Sequence, residues 1–480
     1  MNRENTEIDS LAIRNAILQA KETAYSNSQN GPDLPKLDKI DWPLNCTVGP
    51  GLEGAIACET EIGFVNGSKG QLVYRGYDIF DLCAYSSFEE VCYLLLHGNL
   101  PSEKEFSKFR RKLNSYLFIP DTIRLMVGFP VEKWSTMSAL RLGVNFMRQK
   151  QTFRDDAFSA ARTDNLASDE DSFAMENPPK GAEHAVYEFF GRLFGKPSSV
   201  KEDLTSSEEV DSCYRLIAGV ATMTAAISRI NSGCLPIEPD PSLSHAANLL
   251  YMTTGRKPSP LEEKIMDICL ILHADHGMNA SAFAAMVVAS TLSDLYFSVG
   301  AGVSALNGPL HGGANEQVMI TLKKIGSPKK VPQWFENMCK EKKKIPGFGH
   351  RVYKTYDPRA RILGPMTSLL AARKPAMKDP YLTAQALEKI VVSTYGETKR
   401  IFPNVDFYSG LVYSSLGIEQ KMFTPLFAVS RVAGWTARIL EYMKHNRIFR
   451  PRALYTGPRD LVYKPMQERK TSTSKQLTAA

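Results

Sequence analysis

Residues 279–309 read NASAFAAMVVASTLSDLYFSVGAGVSALNGP, and about half of these positions are alanine, serine or glycine. Side chains this small let helix axes approach closely, as in a buried helix pair or a subunit interface. They are also poor strand formers. Just upstream, SPLEEKIMDICLILHADHG opens with Ser259 as N-cap, Pro260 in the first turn and Glu262 to complete a capping box. A second capping box stands at Ser87 and Glu90, and Gly98 with Pro101 behind it should end that helix. Strand signals are confined to GAIACETEIGFVNGSKGQLVYRGYDI, where Asn66-Gly67 between β-prone runs predicts a small hairpin. The fold class expected is all-α, or mainly α, with one small N-terminal β-hairpin.

At 480 residues the chain has room for two or three domains. Residues 1–45 are polar and read as a helical or frayed extension. Residues 148–210 are acidic, carry Pro178-Pro179 and hold few large apolar residues before AVYEFFGRLFG, so they read as an exposed insertion. Residues 466–480 form a polar tail. The net charge of +7 comes without a Lys/Arg stripe interleaved with aromatics and without helix-turn-helix or zinc-finger spacing, which argues against a nucleic-acid binder. The eight cysteines form no C-x-x-C pair, and several sit in apolar runs, so they read as reduced core residues. No apolar run has membrane-span length, the N-terminus lacks a signal core, and the C-terminus is not a peroxisomal tripeptide. A cytoplasmic location is expected, with no membrane and no nucleic acid among the partners.

The chemistry lies in a few polar stretches. His311 in GPLHGGAN precedes a helix-compatible run, so the helix dipole should favour neutral imidazole, able to donate to a developing enol oxygen. A histidine merely capping that helix is the plainer alternative. KKKIPGFGHRVYKTYDPRAR places His350 after two glycines, Gly347 and Gly349, with Arg359 behind a proline turn. Glycines permit close backbone approach to a ligand, and an arginine fork suits a carboxylate. Asp406, in IFPNVDFYSG, has apolar neighbours that predict burial and a raised pKa; a helix N-cap would be its structural role. Arg431 lies in the apolar run FAVSRVAGW, where a charge calls for an anionic partner. LHADHGMN supplies His273, Asp275, His276 and Asn279 but lacks the i, i+4 histidine pair of a helical zinc motif, so no metal is expected there.

ILHADHGMNAS, GPLHGGANE, PGFGHRVYKTYDPRA, FPNVDFYSG and RPRALYTG, in this order, resemble the citrate synthases, over about residues 51–468. The early ETEIGFVNGSKGQLVYRGYDI is similar to the short bacterial and archaeal type. The resemblance implies a mostly helical two-domain fold. The large domain would be 46–312 with 418–465, interrupted by 148–210, and a small domain at 313–417 would close over the substrates. It implies that Asp406 takes a methyl proton from acetyl-CoA, His311 stabilises the enol and His350 protonates the oxaloacetate carbonyl, with citryl-CoA then hydrolysed. Oxaloacetate would be held by His276, Asn279, Arg359, Arg431 and Arg450, the last supplied by the neighbouring subunit of a homodimer or larger homo-oligomer. CoA would touch Ile345, Pro346, Gly347, Gly349, Lys354, Lys399 and Asn404. No metal or other cofactor is implied. The same residues would serve a 2-methylcitrate synthase using propionyl-CoA, and a non-catalytic scaffold of this fold is the reading from another class.

Overall fold

A computed structural model describes residues 3–28, 42, 44–148, 208–459, 462–463 and 465–468. The acidic stretch expected as an insertion at 148–210 lies outside the described residues apart from its two ends. The polar N-terminal extension forms a long helix, α1 (Arg3–Ser28).

The hairpin is present and larger than its sequence signal. Strands β1 (Gly63–Asn66), β2 (Gln71–Tyr74) and β3 (Tyr77–Asp78) form an antiparallel sheet in that order. Asn66 pairs with Gln71, so the first turn spans four residues rather than resting on a tight Asn66-Gly67 pair. The Asn66 side-chain oxygen accepts from the N–H groups of Ser68 and Lys69, both at 3.1 Å, and this local bond sets the wider turn. The second turn uses Arg75 and Gly76, both at positive φ, to reverse the chain in two residues.

Helix α2 (Ile79–Tyr85) follows at once, capped by Asp78. Helix α3 (Phe88–His97) has the capping box at Ser87 and Glu90 and stops at Gly98, whose φ of 91° ends the helix in the left-handed region. The chain continues through α4 (Glu103–Ser115), α5 (Pro120–Val127), α6 (Thr136–Phe146), α7 (Glu208–Asn231) and α8 (His245–Thr254). Helix α9 (Pro260–His273) carries the second capping box as its sequence predicts. The small-residue run folds as α10 (Ala280–Ser290) and α11 (Leu295–Leu306), packed closely on each other. Close packing explains the composition: a Cβ on Gly302 would come within 3.0 Å of the Trp435 ring.

Trp435 belongs to α17 (Phe423–Met443), the central helix, which is buried over most of its length and packs on α3, α7, α9, α10 and α11. Between α11 and α17 the chain forms α12 (Ala314–Ile325), α13 (Val331–Lys340), α14 (Pro358–Arg373), α15 (Lys378–Lys399) and α16 (Val405–Ser415). These five pack chiefly on one another, with α14 and α12 both against α16. Helix α1 lies across α2, α9 and α14. Its Lys21 pairs with Asp81 at 2.5 Å, and its Asp9 pairs with Arg373 at the far end of α14.

All eight cysteines are free. Cys83, Cys92, Cys213 and Cys269 are core residues as expected, but Cys46 is exposed in a segment without regular structure, and the other three are half-buried. No helix among the described residues is long and apolar enough to cross a membrane.

Candidate active site

The end of α9 is locked before it delivers any functional side chain. Asp275 receives two bonds from Arg438, both 2.7 Å, and the Tyr74 hydroxyl donates to the Asp275 carbonyl at 2.7 Å. Both charges of that pair are about 1% exposed and satisfy each other, which fixes the chain just before His276. The next residue, His276, stands half-buried, with its Nε2 3.1 Å from the Tyr353 hydroxyl. Asn279 caps α10: its Oδ1 accepts from the Ala282 N–H at 3.0 Å and from the Ser281 hydroxyl at 2.7 Å.

His311 faces this same helix start. The Ser281 backbone N–H donates to its Nε2 at 3.3 Å, and the Ser281 hydroxyl lies 2.8 Å from that nitrogen. The backbone donor makes Nε2 an acceptor, so the neutral ring carries its proton on Nδ1; the Ser281 hydroxyl gives its one hydrogen to Asn279 and adds no donor here. Burial, with Arg431 adding to it, lowers the His311 pKa to about 4. The sequence attributed neutrality to the dipole of the following helix. That helix begins only at Ala314, capped by Gly313, and the helix end that touches the ring belongs to α10.

His350 shows the complementary arrangement. The N–H groups of Val352 and Tyr353 donate to its Nδ1 at 2.9 and 3.2 Å, so the neutral ring carries its proton on Nε2. Burial lowers its pKa to about 4 despite the opposing charge of Asp357. Its ring centroid lies 5.2 Å from that of His276 and 4.8 Å from that of Tyr353. The preceding glycines are fixed, not free. Gly349 N–H donates to the Phe402 carbonyl and Asn404 N–H donates to the Gly347 carbonyl, each at 2.9 Å.

Asp406 sits in the first turn of α16. Asn404 is the cap there, accepting from the Asp406 N–H at 3.0 Å, so the N-cap role is taken by the asparagine. Among the described residues no hydrogen bond or ion pair engages the Asp406 carboxylate. Burial raises its pKa to about 6, against the pull of Arg359 and Arg431 and with the help of Asp357.

The two inner arginines differ. Arg359 is 2% exposed and forms a two-point bond with Asp357, Nε to Oδ1 at 3.0 Å and Nη2 to Oδ2 at 2.8 Å. Arg431 is 1% exposed, and its one bond among the described residues runs from Nε to the His273 carbonyl at 2.6 Å. Burial lowers its pKa to about 10, although Asp275 works the other way. A buried guanidinium without a directly bonded carboxylate is costly, and the site is thus prepared for an anion.

Three expected residues stand apart. Arg450 is exposed in the segment without regular structure beyond α17, and among the described residues no hydrogen bond, ion pair or ring contact joins it to the others. Lys354 is exposed, with Nζ 3.2 Å from the Arg351 carbonyl. Lys399 ends α15, its Nζ 4.2 Å from the Tyr395 ring centroid. Ile345 and Pro346 are half-buried. Asn404 uses both ends of its amide inside the protein, Oδ1 as cap and Nδ2 to the Gly349 carbonyl at 2.9 Å. Tyr353, Ser281 and Asp357 complete the constellation without having been singled out by sequence; only Asp357, two residues before Arg359, left a local sign. Among the described residues no three His, Cys, Asp or Glu side chains are grouped so as to hold a metal ion.

Residues 51–452 match the family model for the citrate synthase C-terminal domain. The chain belongs to the citrate synthase family. A citrate synthase of Deinococcus radiodurans is 38% identical over 422 residues, covering 88% of this chain and 99% of that one. One from a Synechocystis species is 40% identical over 431 residues, 88% of this chain and 95% of that one. Among solved structures, citrate synthase from Pyrobaculum aerophilum aligns with a TM-score of 0.73 at 36% identity, covering 91% of this chain and all of the other. The citrate synthase of Thermoplasma acidophilum, solved as a ternary complex with carboxymethyl coenzyme A and oxaloacetate, aligns at 0.72 and 33% identity, covering 88% and 100%. Citrate synthases are acyltransferases, and the mainly helical fold is shared with these solved citrate synthases.

Proposed function

We propose that the chain condenses acetyl-CoA with oxaloacetate and water to give citrate and CoA, and that the six residues His276, His311, His350, Arg359, Asp406 and Arg431 do the work. The observation that carries the assignment of roles is the pair of fixed tautomers. Backbone N–H groups fill Nε2 of His311 and Nδ1 of His350, so each neutral ring has one N–H left to offer. Two pre-set donors, with a carboxylate that no described residue bonds, suit a reaction that makes an enol and then consumes it.

In this reading Asp406, as the anion, takes a proton from the acetyl-CoA methyl group. The C–H electron pair moves into the new C=C bond, and His311 Nδ1–H stabilises the charge on the thioester oxygen. The enol carbon attacks the oxaloacetate ketone, whose oxygen is polarised by His350 Nε2–H and receives a proton as the carbon–carbon bond forms. Water then cleaves the thioester of citryl-CoA. Arg431 takes one substrate carboxylate, and Arg359, held by Asp357, presents its remaining edge to the other. His276 binds oxaloacetate beside them, and Asn279 fixes the helix start that supports His311. Arg450 completes the site of the partner in a cytoplasmic homodimer. CoA lies along residues 345–349 with Lys354 and Lys399 at its phosphates, and Asn404 shapes that loop. The helices of residues 313–417 act as a small domain that closes on the rest and excludes water. The steps as written need no metal or redox cofactor.

The test is release of free CoA thiol from acetyl-CoA with oxaloacetate, against propionyl-CoA in parallel. A higher kcat/KM for acetyl-CoA is expected. Preference for propionyl-CoA would move the chain to methylcitrate synthesis with the same roles, and no release with either would sink the catalytic reading.

A further inference from the structure

We propose that Tyr353 is a positioning residue whose hydroxyl donates to Nε2 of His276, fixing the tautomer in which Nδ1–H faces oxaloacetate. The inference rests on the assignment of His276 to the oxaloacetate site and adds the residue that sets how His276 binds.

Tyr353 is 2% exposed and touches three members of the constellation. Its hydroxyl lies 3.1 Å from His276 Nε2, the one bond it makes among the described residues. Its ring stands 5.4 Å from the His276 ring and 4.8 Å from the His350 ring, centroid to centroid. The Arg359 guanidinium carbon is 5.9 Å above it. Its backbone N–H is also one of the two donors that fix His350. One residue thus sets both histidines, by its main chain on one side and its hydroxyl on the other.

The direction of the hydroxyl bond follows from the substrate. Oxaloacetate as the dianion offers only acceptors: four carboxylate oxygens and a ketone oxygen. A neutral imidazole that binds it must present an N–H. Nε2 is engaged by Tyr353, so the N–H must be Nδ1, which is bonded to nothing among the described residues and is not sealed from solvent. Nε2 must then accept, and the phenol must donate. The local charges fit. Burial keeps the Tyr353 phenol protonated, with Asp357 adding to the effect and Arg359 opposing it. Burial, Arg359 and the neighbouring His350 hold His276 uncharged. Without the hydroxyl, Nε2 gains most by keeping the proton, and Nδ1 becomes an acceptor facing an anion. A tyrosine that served packing alone would be indifferent to which partner holds the hydrogen.

The experiment is 15N NMR of the full-length protein labelled at its eight histidines, with and without oxaloacetate, the His276 signals assigned by loss in a His276→Gln variant. Wild type should show His276 as the Nδ1–H tautomer with oxaloacetate bound. In Tyr353→Phe the ring is kept, and the His276 tautomer should shift toward Nε2–H. KM for oxaloacetate should rise about tenfold, the size of one hydrogen bond. KM for acetyl-CoA and kcat at saturation should stay within about threefold, a split that general loosening of the fold would not give. Wild type that binds oxaloacetate with Nε2–H on His276 overturns the proposal alone, as does a folded Tyr353→Phe with unchanged oxaloacetate KM. Wild type that takes no oxaloacetate overturns the site assignment and the proposal together. Should Tyr353→Phe fail to fold, the wild-type spectrum still decides.

Discussion

Asn404 and Gly349 tie the two halves of the proposed catalytic pair together. The Asn404 Nδ2 donates to the Gly349 carbonyl at 2.9 Å, one residue before His350, while its Oδ1 caps the helix that carries Asp406. The main chain reinforces this link through the Phe348–Pro403 bridge. Asn404→Ala should cost roughly 1–2 kcal/mol through the lost cap. It should lower kcat more than it raises either KM, because both groups remain present but misaligned. Thermal melts and steady-state kinetics check this; unchanged kcat would show that the backbone bridge alone holds the geometry.

The Asp406 carboxyl, raised to about 6 by burial, must be ionised to act as a base. The acid limb of kcat/KM for acetyl-CoA should therefore bend near pH 6, since the two histidines proposed as catalytic, His311 and His350, stay neutral down to about pH 4. The same shift affects stability with a definite sign. The folded protein holds this proton more tightly than the unfolded chain, so the contribution is fully present below the unfolded value of 3.8 and is lost as pH rises through about 6. Asp406→Asn should be nearly inactive yet more stable at pH 7 by up to about 3 kcal/mol, less whatever solvent at the cleft screens. At pH 3.5 that gain should vanish. Denaturant unfolding at the two pH values tests it.

The two glycines before His350 should respond differently to alanine. Gly347 has a φ of 81°, and a Cβ there would lie 2.7 Å from Val318 Cγ2 and 2.9 Å from Phe407 Cδ2. Gly349 has a φ of 82° but open space around it. Gly347→Ala should destabilise by roughly 2–5 kcal/mol, strain and overpacking together, and Gly349→Ala by about 1 kcal/mol. Equal losses would mean that backbone conformation dominates at both.

Arg431→Gln removes a buried charge to which no carboxylate is bonded among the described residues. The ligand-free protein should melt at the same temperature or higher, while oxaloacetate affinity falls ~10²-fold or more. The readout is the oxaloacetate-dependent rise in Tm, which should be present in wild type and absent in the variant.

Arg450, exposed and unconnected to the other site residues among the described residues, makes its proposed role in a partner's site testable by mixing. Arg450→Ala and Asp406→Asn should each be inactive alone. Exchanged subunits should regain roughly a quarter of wild-type activity, since half the pairs are hybrids with one intact site. No recovery after proven exchange would place Arg450 in its own chain's site or outside any site.

What the sequence made legible was local. Capping boxes at Ser87 and Ser259 and the stop at Gly98 depend on residues a few positions apart, and all three are in the structure. The polar motifs also come together in one neighbourhood, because the cost of burying charge limits where His, Arg and Asp can sit. The interlocking partners were not legible. Tyr353 meets His276 across 77 residues and Arg438 meets Asp275 across 163, distances over which no periodicity carries information. His311 was expected to be governed by the helix that follows it in sequence, whereas the helix that governs it starts 31 residues earlier.

The four-residue hairpin turn has one further consequence, for recombination between relatives. Lys354 N–H donates to the Gly67 carbonyl at 2.9 Å, and a Cβ on Gly70 would lie 2.8 Å from Thr355 Cγ2 and 2.9 Å from the Tyr356 carbonyl. The tip of the early sheet is thus moulded to the segment that runs from His350 to Arg359. A chimera joined anywhere between residues 80 and 340 would separate these two surfaces in ancestry. It should work only when the donor of the first part brings a turn of the same length with hydrogen alone at Gly70 and at Gly67, where a Cβ would lie 2.0 Å from the Val352 carbonyl.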